Sequence, residues 1–179
     1  FYVGTLGGPI IEDELFFFIS AELKRERSPL DERAGTDLSG PNVFPVARST
    51  LNEIQTVAQN VYGYNPGGIA PFTQREDNEK LLVKLDWNIN DRHRLTLRNN
   101  YVNARDDAGI GRGQTNFDFA NRQYVFRSLQ NSATAELNST IADNMFNEAR
   151  FVYTRIRDER DVQDAAFPEV QLSLGSDLT

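Results

Sequence analysis

The 179 residues carry 26 acidic against 19 basic side chains, for a net charge of −7, with no cysteine, one histidine and a mean hydropathy of −0.52. This balance argues against nucleic acid as a partner, which needs a basic surface, and the missing thiols exclude disulfides, thiolate zinc sites and cysteine nucleophiles together. The single imidazole, His93, leaves little scope for a histidine metal site or a Ser-His-Asp relay, and no run of about 18 apolar residues is present to cross a bilayer as a helix.

The chain opens at Phe1 inside what reads as a strand, with neither an initiator methionine nor the basic-then-apolar start of a signal peptide, so an internal piece of a longer protein is expected. Positions 1–10 form the first strand, ended by Gly7-Gly8-Pro9, and the chain turns at Glu12-Asp13. A second strand follows over 14–25. Leu15, Phe17, Ile19, Ala21 and Leu23 make one side of it; Phe16, Phe18, Ser20, Glu22 and Lys24 make another that becomes polar partway up. Such a strand has one dry face and one wet face.

Positions 26–79 read as a long polar loop rich in Pro and Gly, with one helical stretch inside it. Ser49 is placed to cap that helix, Leu51, Ile54, Val57, Ala58 and Val61 recur at helical spacing, and Gly63 stops it. Strands at 80–90 and 93–103 come next, joined by the tight turn Asn90-Asp91-Arg92. Leu81, Val83, Leu85, Trp87 and Ile89 alternate with Leu82, Lys84, Asp86 and Asn88, and Leu95, Leu97 and Tyr101 with Arg94, Thr96, Arg98 and Asn100. Two alternating runs so closely joined predict a β-hairpin.

A second long loop at 104–118 precedes the third pair, 120–138 and 146–157, turned at Ala142-Asp143-Asn144. Leu129, Ala133, Ala135 and Leu137 oppose Ser128, Gln130, Ser132, Thr134 and Glu136; Ala149, Phe151 and Tyr153 oppose Glu148, Arg150 and Thr154, with Val152 and Ile156 breaking the alternation. A third long loop occupies 158–179. The connections therefore run short, long, short, long, short, long. A soluble sandwich has no reason to sort its loops in this way, whereas membrane barrels pair short periplasmic turns with long extracellular loops.

The expected fold is all-β: part of an antiparallel, up-and-down transmembrane barrel of about six strands in three hairpins, one long loop carrying a short helix. A spanning strand needs only about 9–11 residues with alternate ones facing lipid, so a negative mean hydropathy does not count against it. Trp87, Tyr101, Tyr124 and Tyr153 fall toward strand ends, where amphipathic rings suit the headgroup level. Six strands do not close a barrel, since the smallest bacterial ones use about eight. A wide, watery lumen would let Lys84, Asp86, Arg94, Arg98, Glu148 and Arg150 line an inner face.

Other chemistry weighs little. Gly109, Gly111 and Gly113 satisfy no phosphate-loop pattern and read as a flexible surface loop. Asp106, Asp107 and Asp118, and Asp158, Glu159, Asp161 and Asp164, could bind Ca²⁺ on an outer surface, but without EF-hand spacing they read better as solvated loop charge. Glu12, Asp13 and Glu14 lie in a turn without a cleft to separate their acidities, so they are turn residues. His93 is expected to have no catalytic role, and Asn138-Ser139-Thr140 matches a glycosylation sequon by accident. No catalytic, cofactor or metal site is expected, and no enzymatic activity.

Three stretches resemble one family. Gly7-Gly8-Pro9-Ile10 followed by Glu12-Asp13-Glu14-Leu15-Phe16-Phe17-Phe18 is similar to a signature of Oar-like TonB-dependent receptors that lies early in the barrel. Leu85 to Arg98, which reads LDWNINDRHRLTLR, resembles a hairpin of that family, and Asn147 to Arg155, NEARFVYTR, one of its strands. The matches cover all three hairpins in order, and the long loops match nothing specific. The resemblance implies a 22-stranded barrel, a plug, an N-terminal carboxypeptidase-regulatory-like domain and coupling to the TonB complex, none of which but part of the barrel lies in this sequence. It implies uptake of a substrate whose identity these residues do not carry, across a Gram-negative outer membrane. An outer-membrane structural or adhesive barrel is the alternative, and a soluble β-sandwich binding carbohydrate or mediating adhesion is a further one.

Overall fold

A computed structural model describes residues 1–30, 43–162 and 167–173. Six antiparallel strands form one sheet in chain order: β1 (Tyr2–Ile11), β2 (Leu15–Leu30), β3 (Phe72–Asn90), β4 (His93–Ala108), β5 (Tyr124–Ala142) and β6 (Met145–Val162). One helix, α1, spans Arg48–Tyr62, and a 3₁₀ turn spans Ala120–Arg122.

The hairpin turns are made by short polar side chains that tolerate tight backbone geometry. Asp13 takes φ 59°, a left-handed conformation open to Asp at low cost, and the Glu14 N–H closes the turn on the Ile11 carbonyl at 3.2 Å. At the next turn the Arg92 N–H donates to Asn90 Oδ1 at 2.9 Å, an Asx turn. In the first hairpin Tyr2, Gly4, Leu6 and Gly8 lie opposite Leu23, Ala21, Ile19 and Phe17, with an irregularity between Pro9 and Ile11. Gly7 faces Phe18 across that register. A Cβ there would stand 3.1 Å from both the Phe17 carbonyl oxygen and Phe18 Cδ2, so the glycine is what lets the Phe18 ring lie close.

The strands run past their expected ends on the side of the long connections. β2 continues to Leu30, not 25; β3 begins at Phe72, not 80; β4 reaches Ala108, not 103; and β6 reaches Val162, not 157. β5 starts at Tyr124, not 120, because 120–122 form the 3₁₀ turn, and it runs on to Ala142, not 138. The reason for the overruns toward the long connections is that both faces become polar there. Alternation vanishes while backbone pairing continues, accompanied by cross-strand pairs such as Lys24–Glu76 at 2.6 Å and Arg25 with Glu79.

The chain divides into two compact units: Phe1–Glu26, Glu76–Arg105 and Arg127–Glu159 make the first; Arg27–Arg75, Asp106–Phe126 and Arg160–Thr179 the second. The second unit has a small core in which Val46, Leu51 and Ile69 are buried, with Phe44, Ile54, Phe117 and Phe119 packed against them. This burial holds α1, whose start lacks a side-chain cap. Its N-cap is Ala47, so Ser49 lies inside the helix, contrary to expectation. Gly63 does end it, at φ 67° with its N–H on the Gln59 carbonyl.

The glycine-rich segment at 109–113 is built rather than loose, which corrects the expectation of a flexible loop. Gly109 sits at φ 85° against Tyr124, where a Cβ would come within 2.4 Å of the ring. The Gly111 N–H donates to Asp118 Oδ2 at 2.8 Å, and the Arg112–Phe117 bridge closes a miniature hairpin. Arg112 is 4% exposed. Its Nη1 donates to the Ile69 and Ala70 carbonyls at 2.8 and 3.0 Å, its Nε to the Asp118 carbonyl at 3.2 Å, and its guanidinium lies over the Phe72 and Phe117 rings. A buried cation tied to carbonyls and ring faces acts here as a core residue.

Candidate functional site: the two faces of the first unit

Within the first unit the sheet has two chemically opposed faces. On one, Leu15, Phe17, Ile19, Ala21 and Leu23 of β2 continue into Leu81, Val83, Leu85, Trp87 and Ile89 of β3, then Leu95, Leu97 and Tyr101 of β4. Ala133, Ala135 and Leu137 of β5 and Ala149, Phe151 and Tyr153 of β6 complete the row. None of these side chains is buried: Leu81 is 41% exposed, Trp87 40%, Leu97 41% and Phe151 66%, and others such as Phe17, Val83 and Leu85 are half-buried. Every buried apolar residue among the described ones, namely Leu30, Val46, Leu51, Ile69 and Val125, belongs to the second unit. The first unit has no apolar interior of its own, and its described residues contain no second sheet or helix layer.

The opposite face is a lattice of ion pairs. Lys80 meets Glu22 at 2.7 Å, and Lys84 meets Asp86 at 2.7 Å. Asp86 also accepts from Thr96 at 2.8 Å and from Arg94 at 3.3 Å. Arg150 binds Glu136 at 2.9 Å and Glu148 at 2.8 Å, and Ser132 and Ser128 bond Thr154 and Asp158. Exposed pairs of this kind add little to stability, being screened by solvent. Their importance is that this face belongs in water. Of the six residues expected on an inner polar face, Lys84, Asp86, Arg94, Glu148 and Arg150 are thus linked into it, and Arg98 shares its strand parity with Arg94 and Thr96.

The register also steps. The Asn88 N–H donates to the Glu14 carbonyl, and the Thr140 N–H to the Arg92 carbonyl, both at 2.8 Å. Each bond ties the last residue of one turn to a position two before the end of the next hairpin's first strand. Successive turns are thereby displaced by roughly two residues, or about 6.6 Å along the strand, for about 9.6 Å across two strand spacings. If the turns lie level, the strands tilt by about 35°, within the range of transmembrane barrels. The apolar row from Leu81 to Ile89, about 27 Å long, then rises about 22 Å, close to the apolar band of about 25 Å in such barrels.

The other singled-out residues have structural partners. Glu14 Oε1 accepts from Trp87 Nε1 at 3.2 Å, and the Asp13 carbonyl accepts from Asn88 Nδ2 at 3.1 Å. His93 Nδ1 lies 2.9 Å from Ser139 Oγ. Asp107, expected as solvated charge, is 8% exposed and accepts the Arg75 N–H. Asp118, likewise expected to be solvated, is tied to Gly111 and Arg122, and its charge holds the Arg122 guanidinium above its ordinary pKa. Asp158 accepts from Ser128, Glu159 pairs with Arg157, and Asp164 lies outside the described residues. No metal-holding cluster occurs among the described residues. Of the four aromatics expected at the headgroup level, Trp87, Tyr101 and Tyr153 belong to the apolar face; Tyr124 lies in the second unit beneath Arg160.

A soluble sandwich is overturned by the bare apolar face and the single layer beneath it. No helix among the described residues is long and apolar enough to cross a membrane, which says nothing of crossing by strands. No curated protein and no solved structure matches the chain. A family model described as outer membrane beta barrel domain matches residues 2–177. With one face suited to hydrocarbon, the other to water, and strands stepped as a barrel requires, the chain belongs to the outer membrane beta barrel domain family and is part of an outer-membrane barrel protein.

Proposed function

We propose that this barrel serves TonB-dependent uptake of a substrate across the outer membrane of a Gram-negative bacterium, in an Oar-like receptor. The observation behind the barrel is the absence of any buried apolar residue in the first unit, beside a continuous bare apolar face. Support for transport comes from the three family-like stretches. They fall on the β1–β2 hairpin, the β3–β4 hairpin and β6, the elements a shared barrel would hold in common. A polar face this rich in ion pairs suits a wide lumen better than a narrow, side-chain-filled one.

β1 and β6 are the edges of the sheet. Unpaired edges in hydrocarbon cost several kcal/mol per orphaned group, so further strands must close the barrel. The partners on this reading are outer-membrane lipid, the TonB complex acting through N-terminal parts of the receptor, and an extracellular ligand. The chain's own role is conduction, without a chemical reaction or cofactor.

The adhesive reading draws on a different observation. The second unit has its own core and leaves Val57, Val61 and Tyr62 exposed on α1, at 46%, 68% and 68%. The two readings separate in cells. Under TonB-dependent uptake, deleting the full-length gene and deleting TonB remove growth on the same nutrient, and a plug with a TonB box precedes the barrel. A barrel closed without either, whose loss leaves every nutrient usable and reduces surface attachment, would leave adhesion as its function.

A further inference from the structure

The apolar face carries a shallow, open concavity. A groove of about 300 Å³ is lined by Val83, Leu85, Leu97, Ala133, Ala135 and Phe151. Ala133 and Ala135 are the small side chains of the β5 row, between Asn131 and Leu137. A flat lipid-facing surface needs no such depression.

At the long-loop end of the groove the chemistry changes. Asn99, which also lines it, donates from Nδ2 to Asn131 Oδ1 at 3.0 Å, placing two amides at the edge of an otherwise apolar face. The Ser132–Thr154 and Glu136–Arg150 contacts fix the β5–β6 register, so that Arg155 comes beside Asn131 on the same face. Arg157 follows two residues on, and Arg127 shares the parity of Asn131.

Within this cluster Arg157 pairs with Glu159. Lys24, Arg25, Lys80, Lys84, Arg94 and Arg150 of the first unit are each paired with a carboxylate. Arg155 and Arg127, like Arg92 and Arg98, have no ion pair among the described residues.

We propose that this groove holds an acyl chain of a phosphate-bearing lipid, with the phosphate resting on Arg155 and the Asn99–Asn131 amides. Hydrocarbon fills the Ala133–Ala135 depression, where any other occupant would have to displace lipid already present. The guanidinium and amide N–H groups supply the donors that a phosphate oxygen accepts. The cationic end lies toward the long connections, where the apolar row of β6 gives way after Tyr153. This inference rests on the membrane-facing surface and stands apart from transport.

The test uses the full-length barrel in phosphatidylcholine nanodiscs doped with lipid A, or with its dephosphorylated form, and counts retained glycolipid by native mass spectrometry. Wild type is expected to retain lipid A and not the dephosphorylated form. Arg155→Gln should lower retention by about tenfold, the scale of one charged hydrogen bond. Ala133→Phe, which fills the groove, should lower it as well, and Ala149→Phe, on the same face outside the groove, should not. Equal retention of both glycolipids, or unchanged retention in Arg155→Gln, overturns the proposal. Should Ala133→Phe fail to assemble, the exposed Arg155→Gln variant still decides.

Discussion

Placing the same substitution on opposite faces of β3 measures what each face meets. Leu85 is the central residue of the row from Leu81 to Ile89, so it lies near the midplane of the apolar band. Arginine at that depth costs about 2–4 kcal/mol, and 3 kcal/mol lowers the folded-to-unfolded ratio by about 150-fold. Leu82 is on the opposite face, between Lys80, paired with Glu22, and Lys84, paired with Asp86. In that wet surrounding Leu82→Arg should cost less than about 1 kcal/mol. The full-length barrel, refolded reversibly into phosphatidylcholine vesicles and titrated with urea, reports both by its heat-resistant gel mobility. With a slope of about 2 kcal/mol per molar urea, the Leu85→Arg midpoint should fall by about 1.5 M and that of Leu82→Arg by less than about 0.5 M. Equal costs, or a larger cost at Leu82, would refute the assignment of the faces.

Four further outcomes are expected. Trp87 is the only tryptophan of these 179 residues, so in a full-length barrel whose tryptophans elsewhere are replaced by phenylalanine its fluorescence should be quenched more by lipids labelled near the headgroup than by lipids labelled at the chain end; the reverse order would place it at mid-depth. Gly7→Val should destabilise the first hairpin by about 1–2 kcal/mol through the 3.1 Å approaches to Phe17 and Phe18, an effect reduced in a Phe18→Ala background when the two are titrated as a double-mutant cycle. Gly109→Ala meets both φ 85° and the Tyr124 ring at 2.4 Å, and should cost about 2 kcal/mol or more, seen as faster hydrogen exchange around 109–124. Arg112→Ala removes bonds to three carbonyls and two ring contacts, so limited proteolysis should cut within 44–70 by more than tenfold faster, while the barrel keeps its heat-resistant mobility.

The turns were legible because alternation begins and ends at them: Leu15 restarts a period-2 row directly after Glu12-Asp13-Glu14, and Leu95 does so after Asn90-Asp91-Arg92. The far ends of the strands were not. Alternation records contact with hydrocarbon rather than extended backbone, so it stops at Arg25 and Glu79 although β2 and β3 continue. The charged stretch 72–79 therefore read as loop. Arg112 was illegible for another reason: its partners are mainly backbone carbonyls, which leave no mark in composition or spacing. Ser49 misled because a good capping residue stood two positions past the true cap, in a helix held by burial of Leu51 and Ile54 instead. Val152 and Ile156 remain exposed on the water-facing parity of β6, and nothing among the described residues accounts for them.

The fixed step between successive turns constrains how relatives of this sequence can differ in length. Adding one residue between Leu15 and Leu23, or between Leu81 and Ile89, would exchange the sides of everything beyond it and send Glu22 or Lys80 toward the acyl chains. Natural insertions and deletions in these rows should therefore come in twos, or as a bulge that restores parity. The connection at 43–71, which has its own core, is under no such arithmetic and should vary by any number of residues.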